Sequence, residues 1–220
     1  MAILGISGSP IVGGNTDRMI KALLSGSGKE TQFVNLSTLT FSPCRGCAHR
    51  CAKTGMCAEN DDLRPWLQAV KDADALILGS AVHHSTMTGW MFSLITRLWC
   101  FCHTEELLRG KPALYVWTGL WDEQRQRDRG LFDRRRTRKH EFNDLGHIYY
   151  QSRNAPCLKC GMGDVCRRGG LWEILGCSEQ ALREFEFTPD KFHRWEDNPE
   201  TVAQVEKYAA ILAESVQKSG

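Results

Sequence analysis

Apolar and polar positions alternate along this chain in two rhythms. Short apolar runs at Ile3 to Ile6, Thr31 to Leu36, Ala75 to Leu78, Pro112 to Trp117 and Ile148 to Tyr150 read as strands. Ala75 to Leu78 is apolar throughout, as a strand buried on both faces requires. Between the strands lie segments of helical period. Asn15 to Leu24 sets Ile20, Leu23 and Leu24 on one face, and Asp61 to Asp72, Thr88 to Phe101 and Glu200 to Val216 read as further helices. This alternation predicts an α/β fold, a doubly wound parallel sheet with helices on both faces.

Two stretches break the rhythm. Trp121 to His147 is polar and rich in arginine, and is expected to be an insertion. Ala155 to Trp195 carries four cysteines at irregular spacing and is expected to be an irregular cysteine-rich segment. The expected organisation is a main domain over residues 1–150, with a cysteine loop at 44–57 and the basic insertion at 121–147. Residues 151–220 then form the cysteine-rich segment and the C-terminal helix.

Composition narrows the class. The chain has 220 residues, 42% of them hydrophobic, enough for one α/β domain with a small appendage. A formal net charge of +2 gives no global pull toward nucleic acid or an anionic membrane. No apolar run approaches the ~18 residues of a membrane span. The start, Met1-Ala2-Ile3-Leu4-Gly5-Ile6, lacks the basic and apolar regions of a signal peptide. The expectation is a soluble, cytoplasmic protein. In that setting ten cysteines point to metal or redox chemistry rather than to disulfides.

The first strand runs into Ser7-Gly8-Ser9-Pro10, and Gly13-Gly14-Asn15-Thr16 leads on into the helix. Small residues let backbone amides approach an anion, hydroxyls add donors, and the helix N-terminus adds its dipole. The loop has neither a P-loop lysine nor dinucleotide glycine spacing, so a single phosphate is the natural guest. An ordinary capped strand-to-helix turn is the plainer alternative.

Cys44-x2-Cys47-x3-Cys51-x5-Cys57 puts four thiols within fourteen positions, with Gly46 and Gly55 between them to turn the chain. Thiolates suit zinc and iron–sulfur clusters alike, and free or redox-active thiols are a third reading. Cys157, Cys160, Cys166 and Cys177 make a second group, open between a second cluster, a structural zinc and a dithiol pair. Cys100 and Cys102, beside Trp99 and Phe101, read as buried structural cysteines.

The opening GISGSPIVGGNTDRMIKALL resembles the NADPH-dependent FMN reductase and iron–sulfur flavoprotein group. The resemblance recurs at Gly79 to Gly89, where Ala81 and His83 stand in place of a proline and a tyrosine common in that group. It implies a flavodoxin-like fold with the FMN phosphate on Ser7, Ser9, Pro10, Asn15 and Thr16. Ring contacts then fall on Ser80, Ala81, Val82, His83, His84 and Ser85, and on Thr118 and Gly119 after the next strand. The four-cysteine loop resembles the iron–sulfur flavoprotein motif, which implies a [4Fe–4S] cluster on Cys44, Cys47, Cys51 and Cys57. The resemblance further implies a homodimer or homotetramer.

Between Arg125 and Lys139 there are eight Arg or Lys against two Asp. A solvated loop and a docking patch, for an acidic redox protein or NADPH, are the two readings. No groove-reading context is legible around the run, so nucleic acid is set aside. Trp66, Trp90, Trp99 and Trp117 fall in regular elements and are expected in the core. Trp121 and Trp172 flank irregular segments, where they could cover a flavin or a partner.

The sequence reading is therefore an FMN-dependent oxidoreductase passing electrons between flavin and an iron–sulfur cluster, with ferredoxin or NAD(P)H as partner. Two alternatives stay open. One is an NAD(P)H-dependent FMN or quinone reductase with structural cysteines. The other is a zinc-stabilised binding module without redox function.

Overall fold

A computed structural model describes residues 2–103, 105–128, 140–152, 160, 162, 165–186 and 188–217. In chain order, β1 is Ala2–Ser7, α1 Asn15–Gly26, β2 Glu30–Asn35, α2 Ala48–Cys51, α3 Arg64–Asp72, β3 Ala75–His83, β4 Thr86–Met87 and α4 Gly89–Arg97. There follow β5 Pro112–Gly119, α5 Glu123–Asp128, β6 Asn143–Gln151, α6 Gly170–Ile174, α7 Glu179–Glu184 and α8 Pro199–Gln217.

The sheet runs β2-β1-β3-β5-β6, all parallel, and β4 pairs back antiparallel on the end of β3. Side chains of alternate strand residues go to opposite faces. Leu4, Ile6, Leu76 and Leu78 pack on one face with Leu67 and Val70 of α3 and with Met91 and Leu94 of α4. Ile3, Ala75, Ile77, Val116 and Ile148 pack on the other with Ile20 and Leu23 of α1 and with Ala209 and Leu212 of α8. The central strands β1, β3 and β5 are largely apolar because each is covered on both faces.

The strands and helices follow the periodicity closely, with three differences. The insertion expected at 121–147 begins as α5, and from Asn143 it is already β6. Gly146, with φ +116 beside a register shift in the β5–β6 pairing, hides that strand from an apolar reading. The two-residue β4 is too short to leave a pattern. Trp90 and Trp99 are not core residues. Trp99 is 59% exposed, because the chain turns from α4 into a 3-10 helix at Leu98 and its outer side faces solvent. Trp117 is buried and Trp66 packs against the core.

Candidate functional site at the carboxyl edge of the sheet

In a parallel sheet the loops that leave the strand ends gather on one edge, and ligands bind there where the winding direction switches. Here β1 and β3 are the switch, with chain leaving β1 to one side and β3 to the other. Two groups of predicted residues meet at this edge.

The first is the loop after β1. Ser7, Ser9 and Thr16 are buried hydroxyl residues. The Ser7 Oγ accepts from the Ser9 amide at 3.2 Å, and the Ser9 Oγ from the Ile11 amide at 3.1 Å. Asp17, fully buried, accepts from the Gly13 amide at 2.8 Å and from Asn35 Nδ2 at 3.0 Å, which ties the loop to the end of β2. The N-cap of α1 is Gly14, which brings no side chain to the first-turn amides. A cradle of this kind suits a phosphate.

Close approach is built in at Gly8. A Cβ there would lie 2.7 Å from the Met91 Cβ and 3.0 Å from Thr88 Oγ1. Instead the Thr88 hydroxyl donates to the Gly8 carbonyl at 2.6 Å, and the Gly8 amide donates to Gly79 at 2.7 Å. Thr88 is also the N-cap of α4. The Thr16 and Thr118 hydroxyls meet at 2.7 Å, so the loops after β1, β3 and β5 are laced into one surface.

Asn15 sits differently from a plain phosphate donor. Its Nδ2 donates to the His193 carbonyl at 2.9 Å, and its Oδ1 accepts from Arg18 Nη2 at 2.6 Å and from the Trp195 amide. The side chain is thus engaged with the segment before α8. The predicted ring residues occupy the β3–β4 hairpin, paired Val82 to Met87 and His83 to Thr86. His84 and Ser85 form its two-residue turn, both at positive φ (48° and 59°). That is the type I′ geometry, which normally takes Asn and Gly. Ser80 Oγ accepts from the Thr88 amide at 3.0 Å and donates to the Ala81 carbonyl at 2.8 Å, which fixes the hairpin stem.

The second group is the cysteine loop. Cys51 and Cys57 are buried against the α4 face of the core, Cys47 is half-buried and Cys44 exposed. Burial pushes the Cys51 thiol up, and the neighbouring Cys47, Cys57 and Cys44 add to the shift. Cys44, Cys47 and Cys57 are therefore each within electrostatic reach of Cys51. Among the described residues, no three metal-binding side chains are closed around an ion position. Four thiols on one turn-rich loop are a donor set whose chemistry would suit a thiolate-bound centre.

Two side chains that the sequence reading did not single out, His103 and Arg97, complete this region. His103 Nε2 lies 3.1 Å from Cys51 Sγ, and its ring stacks on Trp99 at 6.3 Å. Arg97 Nε donates to Cys57 Sγ at 3.1 Å, and the guanidinium also binds Asp61 at 2.7 and 3.1 Å. A lone arginine in an apolar helix was the visible signal for Arg97. His103 left none, because its partner is 52 positions away. Cys100 lies beside Cys57, and burial, with Cys57 adding, pushes its thiol up to about 12. Cys102 is half-buried and meets His140 Nδ1 at 3.2 Å.

The second cysteine group is only partly visible. Cys157 lies outside the described residues, as do Arg134, Arg135, Arg136 and Arg138 of the basic run. Cys160 and Cys177 are exposed and Cys166 half-buried, and the Cys177 backbone is left-handed at the end of α6. Arg125 lies over Trp121 at 4.0 Å and Arg167 over Trp172 at 5.2 Å, so arginines cover both rings.

Apart from the β4 arm, the strand order is 2-1-3-4-5, which together with the anion loop after the first strand defines a flavodoxin-like protein. The profile of the NADPH-dependent FMN reductase family matches residues 1–129, more than half the chain, and the chain belongs to that family. An iron–sulfur flavoprotein of Methanocaldococcus jannaschii is 36% identical over 100 residues, 44% of this chain and 51% of the relative. One from Archaeoglobus fulgidus is 34% identical over 125 residues, 54% of this chain and 56% of the relative. The matches span about half the length of these relatives. The solved FMN-dependent NADH-azoreductase of Bacillus anthracis superposes with a TM-score of 0.57 at 11% identity, over 97% of this chain and all of that one. A flavodoxin from the domain Archaea gives 0.50 at 12% identity, over 99% of both chains. At such identities these two show the fold alone. No helix among the described residues is long and apolar enough to cross a membrane.

Proposed function

We propose that this chain is a flavin-dependent oxidoreductase that binds FMN on the loop 7–16 and passes electrons between the flavin and an iron–sulfur cluster on Cys44, Cys47, Cys51 and Cys57. The observation that carries the reading is the placement of α4. Its N-cap, Thr88, holds the phosphate loop at Gly8, and its last residue, Arg97, holds the cysteine loop at Cys57. They stand nine positions apart, roughly 13 Å along the axis. Two sites joined by one rigid element suit transfer between two resident redox groups. The names of the relatives, iron–sulfur flavoproteins, support the same reading.

In this reading the chain's residues bind and orient. Ser7, Ser9 and the first-turn amides of α1 hold the phosphate, and the 80–85 hairpin and Thr118-Gly119 flank the ring. Flavin and cluster would supply two-electron and one-electron chemistry respectively, which zinc does not offer. Exposed Phe92 and Trp99, on the outer side of α4 and its extension, support assembly into a homodimer or homotetramer. The family's name favours NAD(P)H as the electron source, and a ferredoxin-like donor is the other candidate.

Anaerobic purification, a visible spectrum and metal analysis test the proposal. Denatured protein should release FMN, and the native protein should carry iron with broad visible absorbance. Stoichiometric FAD would overturn the flavin assignment, and zinc in place of iron would make the cysteine loop structural. Rapid bleaching of the flavin by NAD(P)H identifies the nicotinamide as donor. Reduction only by a ferredoxin-like protein identifies an electron carrier.

A further inference from the structure

We propose that Arg97 is a positioning residue for Cys57, its buried guanidinium placed to raise the reduction potential of a cluster held there. The inference rests on the proposed cluster and goes beyond it in assigning a tuning role to a residue outside the cysteine motif.

Arg97 is 1% exposed and is among the largest fully buried side chains among the described residues. It lies in the apolar stripe of α4, between Leu94 and Leu98, where an aliphatic side chain would pack with no charge to desolvate. Burying a cation there is costly unless its donors are met. They are met by three residues of the cysteine loop and its stems. Nε donates to Cys57 Sγ at 3.1 Å, Nη1 to the Ser42 carbonyl at 2.9 Å and to Asp61 Oδ2 at 2.7 Å, and Nη2 to Asp61 Oδ1 at 3.1 Å. Asp61 in turn accepts from the Ser42 amide at 3.3 Å. The guanidinium therefore grips both stems of the loop and aims its remaining edge at a sulfur.

The two buried cysteines are treated unequally. Cys51 meets the His103 ring, whereas Cys57 meets a permanent cation with a fixed fork. An N–H donated to a ligand sulfur, and a positive charge beside it, both favour the state that has gained an electron. Asp61 opposes this from the far side of the guanidinium. The pair thus sets a local field with its positive end on Cys57.

A plain stem lock and a tuning role make different predictions. Wild type, R97Q, R97K and D61N should be prepared anaerobically as the full chain, iron counted, and the cluster midpoint read by dye-mediated titration followed by EPR. R97Q should keep iron but favour the oxidised cluster about ten-fold, a downward shift of ~59 mV for one electron. R97K, which keeps charge but loses the fork, should fall between R97Q and wild type. D61N removes the opposing negative charge and should shift the midpoint upward. If R97Q and D61N both carry iron at the wild-type midpoint, the proposal is overturned and Arg97 is a stem lock. If R97Q does not fold, D61N decides alone, since an upward shift supports the proposal and an unmoved or lower midpoint overturns it. Absence of iron from reconstituted wild type would instead overturn the proposed cluster, and this inference with it.

Discussion

Arg18 and Glu196, 178 positions apart, are joined by two hydrogen bonds of 2.6 and 3.1 Å. The same guanidinium donates to the Gly13 carbonyl and to Asn15 Oδ1. One arginine thus fastens the segment before α8 onto the phosphate loop. Burial alone would push the Glu196 carboxyl upward, but the hydrogen bond from Arg18, a backbone hydrogen bond and the charges of Arg18 and Arg194 together outweigh it and leave the group below its usual range.

The sign of the pH effect follows. A carboxyl lowered in the folded state stabilises the fold above its unfolded value, about 4.3, and loses that contribution as pH falls through the folded value. E196Q should therefore be less stable than wild type at pH 7, by up to about 1 kcal/mol for a partly exposed pair. The gap should close in acid. Denaturant midpoints at pH 7 and pH 3 check this, and an equal gap at both would disprove the linkage.

Thr88 is the second point of leverage. T88V keeps the volume but removes the donor to the Gly8 carbonyl and the cap of α4. An orphaned buried carbonyl costs about 1–3 kcal/mol and a lost cap about 1. The denaturation midpoint should fall, and FMN, followed by recovery of its fluorescence on dilution, should dissociate more readily. Unchanged flavin retention would separate the helix cap from the phosphate loop.

The hairpin turn holds two residues where glycine would be easier. Left-handed backbone costs an ordinary residue roughly 1–2 kcal/mol, so S85G should raise thermal stability by up to about 1 kcal/mol. Strain of this kind concentrates where ligands are held, so the same variant should bind FMN less tightly despite melting later. A lower melting temperature would show that the Ser85 side chain contributes more than its backbone costs.

Serine at Cys44, Cys47, Cys51 or Cys57 should lower the iron content and the broad visible absorbance while leaving FMN in place. C100S is the informative control. Cys100 lies beside Cys57 but outside the four-cysteine loop. It should retain iron, and a loss equal to that of C57S would make Cys100 a ligand.

The order of the main elements was legible because the central strands are covered on both faces and the long helices on one. Ile20, Leu23 and Leu24, read as one face from their spacing, are buried together beneath α1. The loop after β1 stood out as a candidate anion site, from its run of small and hydroxyl residues. The links between loops were not. Thr16 with Thr118, Thr88 with Gly8 and Arg97 with Cys57 are pairs separated by 102, 80 and 40 positions. No local period records such distances. Trp99 misled for a related reason, since its outward direction depends on a change of helix type at Leu98 that its apolar neighbours conceal.

The helix α4 also behaves as a phase constraint. Each residue of an α-helix advances about 100° around the axis. One residue added between Thr88 and Arg97 would leave the hydroxyl on Gly8 but swing the guanidinium a quarter-turn off Cys57. The spacing of this segment is therefore as much a part of the sulfur site as the cysteines themselves. Within α4 an insertion would part the hold on Gly8 from the hold on Cys57.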